Sequence, residues 1–303
     1  MRGFIGLTNR NLKVFFKDKS TVFFSMLTSI IVLILYVVFL KGTFVDEIAE
    51  YTTNLESFIT GDDIELIVSM ILVTGIIGSA MVTVSFNCLQ TIIKDREQHV
   101  DYDIAATPIK RWQIALSYFC SASISSIILT SVVLTAALII IGSGLDLHME
   151  LIDFVKAYGL VIAGSISATA TFMTIALLFK SVSAAGAFSG LLSAAMGFII
   201  GAYIPLASFS ENVQTVCHLF PATQITVLLR NVLIGGALNS IDEKIGGLDG
   251  GAFVNGIKQS FSFNSVIGGN TMEISTMITY IAVFFAVSLA LMVVVFCKSY
   301  KRN

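Results

Sequence analysis

Catalysis needs a nucleophile beside a base, a cluster of metal ligands or a cradle for phosphate, and the residues that could supply these are few and dispersed. The histidines are His99, His148 and His218, and the cysteines are Cys88, Cys120, Cys217 and Cys297. No Cys-x-x-Cys pair occurs, and Cys217 beside His218 offers two donors where a structural zinc wants four. Neither a GxxxxGK[ST] phosphate loop nor an HExxH helix is present, so nucleotide binding by that loop and zinc-protease chemistry are not expected. The sequence therefore predicts no catalytic residue, no metal and no cofactor. Charge is concentrated in one stretch instead, "KDREQHVDYDIAATPIKRWQIA" at residues 94–115, with an uncharged run on either side.

Those runs identify the elements that must hold the charged stretch. Hydrophobic residues make up 55% of the 303 and charged residues only 13%, against about 25% charged in soluble domains. Charge-free runs cover Thr21–Leu40, Leu66–Ile93, Trp112–Ile141, Ala157–Phe179, Ser183–Ser208 and Ile274–Cys297. Each meets the roughly 20 residues that a helix needs to cross a hydrocarbon core. Backbone groups find no water there, so each run is expected to be helical. The fold class is an all-α integral membrane protein: one domain over residues 1–303, with six transmembrane helices. The first run is too long and too late to be a signal peptide.

Lys and Arg give the orientation. Arg2, Arg10, Lys13, Lys17, Lys19, Lys94, Arg96, Lys110, Arg111, Lys180, Lys298, Lys301 and Arg302 fall on one side of this topology. That side is read as cytoplasmic, with both termini inside. The opposite loop carries Asp46, Glu47, Glu50, Glu56, Asp62, Asp63 and Glu65. Short loops and few cysteines suit a bacterial plasma membrane.

None of the six runs contains Asp, Glu, Lys, Arg or His. A charge at mid-bilayer costs about 2.5–3.5 kcal/mol and is kept where protons, ions or voltage are handled. A chain that transports without such a residue must take its energy from outside the bilayer.

Two cytoplasmic surfaces stand out. Residues 2–17 read as an interfacial helix. Arg2, Asn9, Arg10, Lys13 and Lys17 lie on the face turned to lipid headgroups, and Phe4, Ile5, Leu7, Leu12, Phe15 and Phe16 on the other. The second surface is the charged stretch. The 28-residue run before it would be about 42 Å long as a helix, so its end projects beyond a core of about 30 Å. Ile93, Val100 and Ile104 then share a face while Asp95, Arg96, Glu97, Asp101 and Asp103 cover the rest. Thr107 is placed to cap the next helix, with Pro108 at its first position. The pattern is a helical elbow under the membrane, more ordered than a simple turn needs.

The elbow followed by "ATPIKRWQIA", and "FPATQITVLLRNVLIGG" from Phe220, resemble the transmembrane subunit of a type 2 ATP-binding-cassette (ABC) transporter. The resemblance implies an N-terminal interfacial helix, a coupling helix (94–106) between spans two and three, and an outer re-entrant helical segment within 209–272. In that segment a proline starts short helices, and Arg230, Gly235 and Gly236 match the usual layout. Many relatives have glycine where this chain has His99, and residues 237–270 are longer and richer in glycine than the family pattern.

The resemblance also implies partners: a separate cytoplasmic ABC ATPase, a second permease subunit and membrane lipid, with no nucleic acid. The ATPase would contact Asp95, Arg96, Glu97, Val100, Asp101, Tyr102 and Ile104. Spans two and five would line the substrate path with Met70, Thr74, Met81, Phe86, Asn87, Phe188, Met196 and Tyr203, an uncharged wall suited to amphipathic or apolar cargo such as drugs, antimicrobial peptides or lipids. Gly186, Gly190, Gly197 and Gly201 form two GxxxG motifs, which serve either packing within one subunit or a dimer interface. The expected function is the permease of an ABC exporter, not an enzyme in its own right. An ATP-independent carrier or channel and a membrane sensor are the alternatives.

Overall fold

A computed structural model describes residues 2–35, 42, 44, 45, 48 and 58–299. The elements are α1 (Arg2–Lys17), α2 (Lys19–Leu35), α3 (Gly61–Cys88), α4 (Gln90–Glu97), α5 (Val100–Ala105), α6 (Arg111–Gly142), α7 (Leu151–Ala176), α8 (Val182–Ile199), α9 (Glu211–His218), α10 (Pro221–Ile245), α11 (Ala252–Ser260), β1 (Ser265–Ile267), β2 (Asn270–Met272) and α12 (Ile274–Ser299). The strands form an antiparallel hairpin with Ser265 opposite Met272. Everything large is helical, as an uncharged chain in lipid requires.

Six helices among the described residues are long and apolar enough to cross a membrane: α3 with α4, α6, α7, α8, α10 and α12. The number equals the expectation but the set does not. Of the first expected span, Thr21–Leu40, residues 36–40 lie outside the described residues, and α2 covers 17. The six include α10, a continuous 25-residue helix where short helices were expected. Nothing interrupts it between Pro221 at its first position and Gly246, whose φ of 62° provides the left-handed C-cap.

The centre of the bundle is α3. Its start carries a reciprocal cap: Asp63 N–H donates to Thr60 Oγ1 at 3.3 Å and Thr60 N–H to Asp63 Oδ2 at 2.9 Å. It packs against α2, α6, α7, α8 and α10. At Gly78 a side chain would collide with Thr226 Oγ1 of α10 and press on Ile200, so glycine here permits the close approach of three segments.

That contact gives the depth of α8. Gly78 lies 15 residues from Asp63, about 22 Å along the helix. Near the other end of α3, Ser189 of α8 donates to Asn87 Oδ1 at 2.6 Å. So α8 climbs from beside Glu97, which accepts the Val182 N–H at 3.3 Å, and stops level with the middle of α3. The expected span Ser183–Ser208 is shorter than predicted because the chain turns back at Gly201, φ 72°. There Ala202 and Tyr203 both donate to the Gly197 carbonyl. From the same level α10 runs to the far end, where Lys244 Nζ meets Asp63 Oδ1 at 2.7 Å.

Candidate functional site: the elbow beneath the bundle

Only Leu89 separates α3 from α4, so α4 extends the central helix past the end of the bundle. One helix was expected over 94–106, and the structure has two. Gln98 and His99 break the run, with His99 left-handed at φ 60°. The family's frequent glycine here has a conformational reason, which this chain meets with a histidine. The His99 ring stacks on Tyr102 at 5.4 Å, 12° from parallel. The start of α6 also differs from expectation. Thr107 Oγ1 donates back to the Ile104 carbonyl at 2.6 Å, and the helix begins at Arg111 with Gln113 Oε1 accepting the Lys110 N–H. Pro108 falls in the intervening turn.

Inside the elbow, charges point inward. Asp95 is only 3% exposed. Its carboxylate accepts both terminal nitrogens of Arg10 from α1, with Nη2 to Oδ1 at 2.8 Å, and the Tyr118 hydroxyl of α6 at 2.5 Å. The hydrogen bond to Asp95 holds the Arg10 guanidinium above its ordinary value, against the opposing effect of burial. Arg96 donates to the Leu177 carbonyl at the end of α7 (2.6 Å) and to Ser299 Oγ of α12 (2.8 Å). Asp101 and Ile104 are buried and Val100 is half-buried.

Of the predicted ATPase-contact set, then, Asp95, Arg96, Asp101 and Ile104 are committed to the subunit's interior. Glu97 and Tyr102 are open, together with Gln98, His99 and Asp103, which were not in the set. Arg10 and Tyr118 escaped the sequence reading. Arg10 looked like a headgroup ligand, and a phenol within an apolar run gives no signal of its partner. The interfacial helix buries Leu7, Asn11 and Phe15, a stripe at i, i+4, i+8, and packs on α6. Ile5 and Phe16 of the expected apolar face stay exposed.

Most residues predicted to line the substrate path lie inside the subunit. Met70, Thr74, Met81, Phe86 and Asn87 are buried within the single subunit because α3 is enclosed on all sides by its own neighbours. Phe86 sits edge-on to Phe172, Phe179 and Phe188, and Met81 fills the space beside Gly164. Hydroxyls on α3 serve the helix backbone: Thr74 donates to Ile71 at 2.7 Å, and Ser85 to Met81 at 2.5 Å while lying 2.7 Å from Ser126 Oγ. On α8, Met196 is buried; Phe188, and Tyr203 beyond the helix, are half-buried.

The glycine stripe divides. Gly186 and Gly190 are exposed with open space around them, whereas Gly197 is covered by Tyr203 and Gly201 by Leu206. The first motif is available to a partner and the second is internal. The open face of α8 continues through Leu191, Ala194 and Phe198.

Arg230, expected only as a match to the family's layout in the outer segment, is 1% exposed on α10. It donates to the carbonyls of Phe261 (2.6 Å), Gly201 (3.1 Å) and Ile200 (3.4 Å). This is an ionised residue level with the interior of the bundle, contrary to the expected absence of charge there. These carbonyls lie at the C-terminal ends of α8 and α11, where helix dipole and unsatisfied oxygens favour a cation.

A family model described as "ABC-2 type transporter" matches residues 2–234. No curated protein matches the chain.

Proposed function

The chain belongs to the ABC-2 type transporter family, and from that premise we propose that it is the transmembrane subunit of an ABC exporter. The family makes it a membrane transport permease, a transmembrane subunit rather than a catalyst. In our reading two permease subunits and two cytoplasmic ATPases assemble in a bacterial plasma membrane, with both termini on the cytoplasmic side. The α10 segment re-enters from the outer face and meets α8 near mid-bilayer.

The observation that carries this reading is the rigid continuation of α3 through α4 into an elbow. One side of the elbow is bonded to the bundle, and the other exposes Glu97, His99, Tyr102 and Asp103. A lever built into the central helix can receive motion from a partner and pass it to the helices around it. The ATPase groove that accepts this surface would meet two carboxylates and a stacked ring pair. The second permease copy would lie on the open face of α8, at Gly186 and Gly190, and cargo would pass between the facing α8 helices. Leu191, Ala194 and Phe198 give that passage apolar walls, suited to an amphipathic or apolar substrate.

Copurification is the test. A tagged chain from its native membrane is expected to bring down a P-loop ATPase, and inverted vesicles are expected to accumulate an amphipathic dye only with ATP. A chain recovered alone, moving solute down a gradient without nucleotide, would identify a carrier or channel instead.

A further inference from the structure

We infer that Asp95 and Arg96, adjacent on α4, are a two-way anchor that divides motion of the elbow between two helix pairs, α1 with α6 and α7 with α12, with Arg10 and Tyr118 as positioning residues. This rests on the ATPase docking at the elbow.

Consecutive helical residues point about 100° apart. Asp95 reaches α1 and α6 through Arg10 and Tyr118. Arg96 reaches the end of α7 and the last turn of α12 through Leu177 O and Ser299 Oγ. Glu97 adds a weaker third bond, to the first N–H of α8 at 3.3 Å. Three neighbouring residues thus tie the elbow to five helices.

The chemistry suits positioning better than stabilisation. A buried ion pair usually gives no more stability than well-packed apolar residues would. What a paired guanidinium and carboxylate supply is fixed direction, because two parallel bonds forbid the swivel that one allows. With the Tyr118 hydroxyl on the same oxygen as Arg10 Nη1, Asp95 cannot move without taking α1 and α6 along. Arg96 pulls on a helix C-terminus, whose carbonyl oxygen accepts strongly from a cation. Displacing the elbow would shift both helix pairs together, as coupling between distant sites requires.

The test uses the copurified permease–ATPase complex in nanodiscs. The four native cysteines are replaced by serine, and spin labels are placed at Ser143 and Ser275, at the ends of α6 and α12 away from the elbow. ATP with vanadate is expected to change the distance between the labels in the otherwise unaltered complex. Asp95→Asn and Arg10→Ala are expected to cut that change about twofold or more while the ATPase still copurifies and hydrolyses ATP at its basal rate. Arg10→Lys, which keeps the charge, is expected to recover part of it. Should Asp95→Asn fail to assemble, Tyr118→Phe decides, since it removes one hydroxyl and no volume; it is expected to reduce the change. An unaltered distance change in Tyr118→Phe and in any assembled Asp95→Asn overturns the anchor and leaves the docking reading intact. If the unaltered chain binds no ATPase, both readings fall.

Discussion

Arg230 Nη2 donates to the Gly201 carbonyl at 3.1 Å, and this bond joins α10 to the turn where α8 ends. Twenty-nine residues separate the acceptor from the donor, yet one buried guanidinium satisfies carbonyls from two segments. Charge is thus present inside the bundle in a structural role. Arg230→Met is expected to leave these acceptors unsatisfied at a cost of about 3 kcal/mol or more. Arg230→Lys should recover only part, because an ammonium lacks the fork. Thermal unfolding in detergent reads both, and equal stability of the Met variant and the unaltered protein would refute the assignment.

The Gly78 contact predicts coupled volumes. Gly78→Ala places a methyl group against Thr226 and is expected to destabilise by about 1–3 kcal/mol through overpacking. Thr226→Ala alone removes a hydroxyl that donates to the Ala222 carbonyl at 2.8 Å. In the double variant the two losses should not add, since the second change makes room for the first. A double-mutant cycle by denaturation measures the interaction, and strict additivity would rule out the close approach.

On the elbow, stability and assembly should separate. Tyr102 is 52% exposed, so Tyr102→Ala is expected to shift unfolding by no more than about 0.5 kcal/mol. Pull-down of the ATPase by the same variant should weaken markedly. Asp95→Ala is expected to behave in the opposite way, destabilising the chain by about 1–3 kcal/mol because the buried Tyr118 hydroxyl and the partly exposed Arg10 lose their shared acceptor. Exchanged phenotypes would mean that the open and closed sides of the elbow are wrongly assigned.

A pH dependence follows at the glycine-rich turn after α10. Asp249 accepts the N–H groups of Phe253 and Gly251 at 2.8 and 2.9 Å, and these bonds, Phe253 first, hold its carboxyl below the ordinary value. A depressed folded-state pKa stabilises above the unfolded value, near 3.9, and is lost as pH falls through the folded one. Protection of the Phe253 amide against hydrogen exchange should therefore be steady from pH 7 to 5 and drop in more acidic solution. Asp249→Ala should show the low protection at every pH and cost about 1 kcal/mol.

Much of the architecture was legible before any coordinates. The long uncharged runs had to be helices. The density of charge at 94–111 had to lie outside the bilayer, and the backbone break at His99 sits where relatives often carry glycine. The contacts of the elbow were not legible. Asp95, Arg96 and Glu97 are three charges in a row, equally fit for solvent, a partner or the subunit itself. Only the approach of Arg10, Tyr118, Leu177 and Ser299 settles that Asp95 and Arg96 belong to the interior and Glu97 to the surface.

The same holds inside the membrane, and for a physical reason. Lipid tails and protein cores are equally apolar, so hydropathy cannot tell one surrounding from the other. The spans built on α3 and α12 are both strongly apolar, yet most of the first is buried in the subunit and little of the second. The sequence by itself determined that this chain is a membrane bundle with a charged lever. Which helix stands at the centre, where α8 stops, and which face of that lever is left for a partner were decided by packing between residues far apart in the chain.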